Sequence, residues 1–407
     1  MQCGLLGCGL SHSYSPMIHG YFGDYSYDLF DLQPDALDGF LQSGNFRGLN
    51  VTSPYKKAIL PYCAELTDCA RLLGSVNTIV RDADGKLLGH NTDYFGFQYL
   101  LKKSNLDVSG KKVLILGSGG ASNTAVHVLT EAGAKSVVVS RTGENNYKNL
   151  FRHTDAAVIV NATPVGMFPK TGESPIDISL FPCLEGVIDL IYNPARTKLL
   201  MDAEDRGLIA CNGLWMLVAQ AQESSELFQN ISVDRNMISV VHDHLQKKML
   251  NTVLIGMPGS GKTSIGKMLA QVTGKAFVDS DEEIEKAAGK SIPEIFRDLG
   301  ESGFREMEAN ILSELGKRSG QVIATGGGCV MTPVNYRHLH QNAKIIRLER
   351  SLDSLPTSGR PLSQSQDLCD MYRLREPLYR IFADHTVHNN ATIQETVHQI
   401  VALEEQL

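Results

Sequence analysis

The stretch Thr252–Val272, TVLIGMPGSGKTSIGKMLAQV, decides the fold of the second half of the chain. A short apolar run ends at Gly256, the segment Gly256–Thr263 matches G-x-x-x-x-G-K-[ST], and a helical pattern follows. In such a loop the backbone N–H groups surround phosphate oxygens, the lysine reaches the β- and γ-phosphates, and the last hydroxyl binds Mg²⁺. The motif predicts an ATP site whose nucleotide-binding residues are Gly256, Gly259, Ser260, Gly261, Lys262 and Thr263.

A second glycine turn lies in the first half of the chain. The strand pattern Lys112–Gly117 leads into Ser-Gly-Gly-Ala, a helical pattern and a second strand pattern that ends in Ser140-Arg141-Thr142, so the segment is a βαβ unit with a pyrophosphate turn. An NAD site usually has an acidic residue after the second strand, whereas Arg141 favours the 2′-phosphate of NADP. The predicted cofactor residues are Gly117, Ser118, Gly119, Gly120, Ala121, Ser140, Arg141 and Thr142.

Length and composition indicate a globular α/β protein with two or three domains, since the chain has 407 residues and a domain takes about 150. The formal charge of −7 gives no sign of a nucleic-acid partner. We expect no membrane segment, no targeting signal and a cytoplasmic location, because the N-terminus lacks a basic region and the apolar runs are short. The eight cysteines form no CxxC pair and are expected to be reduced, buried thiols.

Five further motifs follow the ATP loop: Phe277–Asp281 (FVDSD), Gly300–Glu308 (GESGFREME), Gly326–Gly328, Gly359–Leu362 (GRPL) and Arg375–Tyr379 (REPLY). In this order, residues 251–407 resemble shikimate kinase, which implies a P-loop fold with a parallel sheet. The resemblance implies that Lys262 and Arg360 are catalytic and that Thr263 and Asp279 hold Mg²⁺. It assigns the substrate to Asp281, Arg305, Gly326, Gly327, Gly328 and Arg375.

The first half carries polar motifs at the ends of apolar runs. They are His12–Pro16 (HSYSP), Asn50–Lys56 (NVTSPYK), Gly74–Thr78 (GSVNT), Asn91–Gly96 (NTDYFG), Asn161–Gly166 (NATPVG), Asp189–Pro194 (DLIYNP) and Gly213–Gln220 (GLWMLVAQ). Together with the dinucleotide turn, they resemble shikimate dehydrogenase over residues 1 to about 248. The resemblance implies that Lys56 and Asp93 form the catalytic pair, that Ser13, Ser15, Thr52, Asn77, Tyr192 and Gln220 bind substrate, and that Gly213 contacts the cofactor.

The two resemblances predict the domain organisation. The dehydrogenase part covers 1–248, with a substrate lobe at about 1–96 and 214–248 and a Rossmann-like lobe at about 97–213. The kinase part covers 251–407. Only about sixteen residues, 142–157, separate Arg141 from the next strand, too few for the helix, strand and helix that the family has there. We therefore expect a cofactor sheet that lacks one edge strand, with the loss on the adenine-ribose side.

The predicted function is a bifunctional enzyme that reduces 3-dehydroshikimate with NADPH and then phosphorylates shikimate with Mg-ATP. One alternative makes the first half a quinate/shikimate NAD-dehydrogenase, against which Arg141 argues. Another is a shikimate-sensing regulatory protein, which predicts broken catalytic positions, yet Lys56, Asp93 and Lys262 are present. The expected partners are small molecules, and the sequence leaves the oligomeric state open.

Overall fold

The computed structural model describes residues 1–10, 13–355 and 368–405 of the chain. They divide into two units. Unit 1 is Met1–Gly166, Gly172–Tyr192 and Lys198–Asp243, and unit 2 is Met167–Thr171, Asn193–Thr197 and His244–Leu407. Each unit is α/β, as the alternating pattern predicts. The division of the chain near residue 250 and the lobe boundaries remain predictions.

The first sheet of unit 1 has six strands in the order β2-β1-β3-β5-β6-β4. β1 runs parallel to β2 and β3, while β5 runs antiparallel to both β3 and β6. Its core contains Leu6, Leu49, Val51 and Ile79, all at most 2% exposed. The elements are β1 (Gln2–Gly7), α1 (Ser15–His19), β2 (Ser26–Asp31), α2 (Leu37–Ser43), β3 (Gly48–Val51), α3 (Tyr55–Ala58), β4 (Glu65–Leu66), α4 (Asp68–Leu73), β5 (Thr78–Arg81), β6 (Leu87–His90) and α5 (Asp93–Ser104).

The second sheet of unit 1 has five parallel strands in the order β11-β10-β9-β7-β8. Its middle strands are continuous apolar runs because helices cover both faces of a parallel sheet. The elements are β7 (Lys112–Leu116), α6 (Gly120–Glu131), β8 (Lys135–Val139), β9 (Val158–Asn161), β10 (Gly186–Asp189), α7 (Lys198–Glu204), β11 (Ile209–Asn212) and α8 (Leu214–Gln229). Helix α9 (Asn236–Met249) follows and continues into unit 2.

The shortened segment after β8 confirms the prediction of a missing strand. Residues 140–157 contain one 3-10 helix, Leu150–His153, and no strand, so β8 is the edge of the sheet. Side chains of the segment hold its own backbone: Asn149 accepts from the N–H of Asn146, and His153 Nε2 lies 2.9 Å from Asn145 Oδ1. The cofactor sheet is therefore complete in its central strands and reduced at one edge.

Unit 2 contains a five-stranded parallel sheet in the order β13-β14-β12-β15-β16. The longest helix, α12, starts with a capping box between Ser291 and Glu294 and bends at Gly300, whose φ is +67°. The elements are β12 (Asn251–Ile255), α10 (Lys262–Thr273), β13 (Ala276–Asp279), α11 (Ser280–Ala288), α12 (Ile292–Lys317), β14 (Gln321–Ala324), α13 (Val334–His340), β15 (Ala343–Glu349), α14 (Leu368–Phe382), β16 (His385–His388) and α15 (Ile393–Glu405).

The cysteines are free, but the expectation that they are buried is wrong for most of them. Only Cys3, within strand β1, and Cys329, directly after the Gly326–Gly328 turn, are buried, while Cys8, Cys183 and Cys369 are exposed. In the described part of the chain, no helix has the length and apolar character needed to cross a membrane.

Candidate active sites

Lys56 and Asp93 meet in unit 1. Lys56 lies in the short helix α3, and Asp93 is the first residue of α5, where the helix dipole favours a negative charge. Lys56 Nζ lies 2.5 Å from Asp93 Oδ2, and the two side chains are 27% and 12% exposed. The pair is thus shielded but reachable, which suits a lysine that exchanges a proton with a bound ligand.

Asn77 holds the second oxygen of Asp93. Its Nδ2 donates to Asp93 Oδ1 at 3.0 Å and to Thr92 Oγ1 at 3.0 Å, while its Oδ1 accepts from the N–H of Thr92 at 2.7 Å. Asn77 is 3% exposed, so these bonds replace water that the side chain would otherwise need. The carboxylate therefore has one oxygen directed at an amide and the other at the lysine.

Ser13 and Ser15 lie at the start of α1. The backbone N–H of Ser15 donates to Ser13 Oγ at 3.2 Å, so the Ser13 hydroxyl lies against the backbone of Ser15. The pKa of Tyr27 lies well above its ordinary value because the phenol is buried, and a hydrogen bond with Ser15 offsets only part of this rise. Tyr27 OH also donates to Asn50 Oδ1 at 2.7 Å, and this bond links the serine pair to the end of β3.

The other three predicted substrate residues lie around these groups. Tyr192 packs edge-on against Tyr14, with ring centroids 6.2 Å apart, and burial raises the pKa of its phenol. Thr52 follows β3, where its N–H donates to the carbonyl of Leu6. Gln220 lies on α8, which packs so closely on α5 that a Cβ at Gly96 would be 3.0 Å from the Cβ of Gln220.

The predicted dinucleotide turn joins β7 to α6. Gly117 has a φ of +106°, which favours glycine, and α6 begins at Gly120 with free N–H groups at its N-terminus. A Cβ at Gly119 or Gly120 would meet nothing within 4 Å, so the surface above the turn is open to a ligand. These features fit a pyrophosphate group at Gly117–Ala121.

The two ends of the predicted cofactor site, Gly213 and the segment Ser140–Thr142, differ in how closely the protein packs around them. Gly213 caps α8, and a Cβ there would lie 2.1 Å from the carbonyl oxygen of Leu190, so only glycine fits. Ser140 is half-buried after β8, whereas Arg141 and Thr142 are exposed. Burial raises the pKa of Tyr147, and the charge of nearby Arg141 offsets part of this rise.

The predicted ATP loop of unit 2 contains three glycines in backbone conformations that other residues rarely adopt. Gly256, Gly259 and Gly261 have φ values of +144°, +86° and +95°. Lys262, the first residue of α10, is 8% exposed and its Nζ donates to the carbonyls of Gly256 and Met257 at 2.8 and 3.0 Å. The ammonium therefore lies over the loop that would surround the phosphates.

Two carboxylates face this loop from the end of β13. Thr263 Oγ1 donates to Asp279 Oδ2 at 2.9 Å, so the two predicted magnesium ligands are adjacent. Burial, and then the charge of Asp279, raises the pKa of Asp281 to about 6. Asp281 Oδ1 is buried without a hydrogen-bond partner in the described residues and lies 2.6 Å from where a Cβ at Gly326 would be.

The predicted carboxylate-binding arginines lie beside the Gly326–Gly328 turn. Arg305 donates to Glu308 at 2.9 Å and to Glu301 at 3.2 Å, and a Cβ at Gly328 would meet its guanidinium at 2.4 Å. Arg375, 5% exposed, donates to the carbonyl of Gly327 at 3.1 Å. The Nε atoms of both arginines are buried without a partner in the described residues, which suits guanidinium groups awaiting an anion.

Relatives of the chain are shikimate dehydrogenases. A shikimate dehydrogenase (NADP(+)) from Clostridium perfringens is 33% identical over 265 residues, which are 60% of this chain and 97% of the relative. A family model for the shikimate dehydrogenase substrate binding domain matches residues 5–79. The chain belongs to the shikimate dehydrogenase family.

Solved structures and a second family model extend this result. Shikimate dehydrogenase 1 from Peptoclostridium difficile is 37% identical, with a TM-score of 0.57, over 60% of this chain and 97% of that one. Quinate dehydrogenase from Corynebacterium glutamicum in complex with NAD is 28% identical, with a TM-score of 0.55, over 60% of this chain and 98% of that one. The shikimate kinase model matches residues 258–404. Beside its dehydrogenase part this family member carries a shikimate kinase domain, which makes it a bifunctional shikimate-pathway enzyme.

Sequence reasoning missed several residues that support the two sites. Glu308 is fully buried against Arg305, and the spacing of three residues along α12 was the available signal. Tyr379, also fully buried, donates to the carbonyl of Gly327. Ser224 lies one helical turn after Gln220, a spacing that only the fold makes informative. The predicted catalytic Arg360 lies outside the described residues.

Proposed function

We propose that unit 1 reduces 3-dehydroshikimate to shikimate with NADPH, and that unit 2 transfers the γ-phosphoryl group of ATP to shikimate, forming shikimate 3-phosphate. The observation that carries the first half is the 2.5 Å contact between Lys56 and Asp93 within a cluster of buried polar side chains. The second half is carried by Lys262 lying over a glycine cradle. Both halves fit the family relationships reported above.

In the reductase reaction, NADPH supplies the hydride to the ketone carbon. The ketone oxygen then needs a proton, and Lys56 Nζ is the donor we assign. Asp93 orients the ammonium through Oδ2, while Asn77 holds the carboxylate in place through Oδ1. Ser13 and Ser15 would bind the substrate carboxylate, which leaves the ring to Thr52, Tyr192 and Gln220.

In the kinase reaction, this chain's residues act by positioning and charge. Lys262 would move from its own loop carbonyls to the β- and γ-phosphates, and Thr263 and Asp279 would hold Mg²⁺, which offsets phosphate charge. Asp281 would accept a hydrogen bond from the substrate hydroxyl that attacks. Arg305 and Arg375 would take the substrate carboxylate through their unpartnered Nε atoms and neighbouring N–H groups.

One assay tests both halves on the purified chain. With 3-dehydroshikimate, NADPH and Mg-ATP present, we expect NADPH oxidation and ADP release, and ADP release without added shikimate should depend on NADPH. Excess EDTA should abolish ADP release and leave NADPH oxidation unchanged. Absence of NADPH oxidation removes the reductase half of the proposal, and absence of ADP release when shikimate itself is added with Mg-ATP removes the kinase half.

The missing edge strand of the cofactor lobe favours a second candidate function for unit 1, that of a quinate-type dehydrogenase that uses NAD. The loss of the edge strand beyond β8 leaves Arg141 exposed, so the 2′-phosphate would gain less from it than from a buried cation. We nevertheless favour NADPH, because the position after β8 has a cation and no carboxylate. Equal kcat/KM for NADPH and NADH, or a faster reaction with quinate than with shikimate, would favour the second candidate.

A further inference from the structure

Ser224 stands at the centre of a buried polar cluster in unit 1. The residue is 0% exposed and lies on α8, whereas the groups around it come from β3, β5 and the N-terminus of α5. Its Oγ accepts from Asn50 Nδ2 at 2.7 Å, donates to the carbonyl of Gln220 at 2.9 Å, and lies 3.0 Å from both Thr78 Oγ1 and Thr92 Oγ1.

The number of protons in this cluster restricts how the bonds can run. A hydroxyl donates one hydrogen bond and accepts two. Since the proton of Ser224 goes to Gln220 and one acceptor position is taken by Asn50, the remaining acceptor position can receive the proton of Thr92. Thr92 Oγ1 then accepts from Asn77 Nδ2 at 3.0 Å.

The neighbours of Asn77 favour one orientation of its amide. Its Oδ1 faces the N–H of Thr92 at 2.7 Å and the hydroxyls of Thr78 and Thr92 at 3.1 and 3.3 Å. Its Nδ2 therefore faces Asp93 Oδ1 at 3.0 Å. A flipped amide would place a carbonyl oxygen against the carboxylate and lose all of these bonds.

We propose that Ser224 is a positioning residue for the Lys56–Asp93 pair. By accepting the Thr92 proton, which could otherwise go to Asn77 Oδ1 at 3.3 Å, it leaves a lone pair of Thr92 facing Asn77 Nδ2. This bond helps to hold the amide that donates to Asp93 Oδ1, while Asp93 Oδ2 stays on Lys56. Ser224 itself touches none of the reacting groups. The inference rests on the proposed reductase function of unit 1 and deepens it.

The test is the Ser224→Ala variant of the full chain, assayed for NADP⁺-dependent oxidation of shikimate. We expect kcat to fall about tenfold, the effect of losing one buried hydrogen bond at the reacting pair, with the KM for NADP⁺ within about twofold. Ser225→Ala is the matched control, because Ser225 is also 0% exposed but bonds to Tyr25 and Gln229, away from Asn77. Its kcat should stay within about twofold.

A double-mutant cycle separates positioning from a general loss of stability. If Ser224 acts through Asn77, Ser224→Ala should cost about tenfold in the native background and less than about twofold in an Asn77→Ala background. Thermal unfolding of all four proteins gives the loss of stability independently. If the alanine variant does not fold, Ser224→Cys retains the side-chain volume with weaker hydrogen bonds and carries the same cycle.

Failure of the Ser224 proposal and failure of the proposed reductase function give different results. Equal losses in both backgrounds, a native-like kcat in Ser224→Ala, or an equal loss in Ser225→Ala would overturn the positioning role. An unmodified chain without any shikimate oxidation would instead remove the proposed function of unit 1, whatever the variants do.

Discussion

The two candidate sites differ in how far the protein has assembled them before a ligand binds. In unit 1 the proposed catalytic residue Lys56 already bonds to Asp93, and Asn77 already bonds to the other carboxylate oxygen. In unit 2, Lys262 bonds to the carbonyls of its own loop, while Asp281 Oδ1 is buried without a partner in the described residues. The predicted reductase pair is therefore held by side chains of unit 1 itself, whereas the predicted kinase residues of unit 2 keep buried polar atoms that a bound ligand can engage.

The largest effect is expected for Lys262→Ala. Because we assign this ammonium to the β- and γ-phosphates of ATP, ADP release should fall about a thousandfold, while shikimate oxidation stays within about twofold. Steady-state assays of both reactions on one preparation measure this. Lys286→Ala, an exposed lysine on α11, serves as the control. Loss of both activities in Lys262→Ala would show that the two sites do not act independently.

Lys56→Ala should produce the reciprocal pattern with a slightly smaller factor. General acid catalysis by a positioned side chain contributes about 10²–10⁴-fold, and we expect a loss of a few hundredfold in kcat for ketone reduction with kinase activity retained. The neighbouring Lys57, which is exposed on the same short helix, provides the matched alanine control. A Lys56→Ala enzyme with near-native kcat would remove Lys56 from its assigned role.

Gly326→Ala changes the predicted kinase site of unit 2 and leaves the predicted reductase site of unit 1 unaltered. The added methyl would lie 2.6 Å from Asp281 Oδ1, so the carboxylate must shift, and the KM for shikimate in the kinase reaction should rise about tenfold. Gly39→Ala is the control, since a Cβ there meets nothing within 4 Å. The KM for ATP should change little, and an unchanged KM for shikimate would contradict the proposed role of Asp281.

The smallest effect is expected for Arg141→Ala. An exposed ion pair contributes about 0.2–1 kcal/mol, so kcat/KM for NADPH should fall about threefold and that for NADH should not change. Comparing the two cofactors on the variant and on Arg152→Ala, an exposed arginine in the following 3-10 helix, isolates the 2′-phosphate. A similar loss with NADH would mean that Arg141 does not recognise that phosphate.

Much of both sites was predictable because their residues lie in short contiguous motifs. The segment Gly256–Thr263 specifies the cradle through three glycines with positive φ, and a strand before it and a helix after it are readable as apolar patterns. The missing strand was predictable from segment length compared with the family pattern, since residues 142–157 are too few for the helix, strand and helix that the family has there. Motif order and segment length are properties of the chain that need no coordinates.

The burial of the cysteines was not predictable in the same way. Cys8 and Cys183 follow or precede apolar segments, yet both are exposed because they lie in loops at strand ends. An apolar neighbourhood along the chain does not imply an apolar neighbourhood in space.

The sequence by itself determined the order and spacing of the motifs that predict the two phosphate turns and the lysine and carboxylate of each site, and comparison with the family pattern predicted the loss of an edge strand. Only the tertiary structure decided how those residues are held. Ser224 reaches Asn50 across 174 positions and Thr92 across 132. Hydrogen bonds act over about 3 Å between atoms whatever their separation along the chain, so the partners that orient a catalytic group are known only once the fold brings them together.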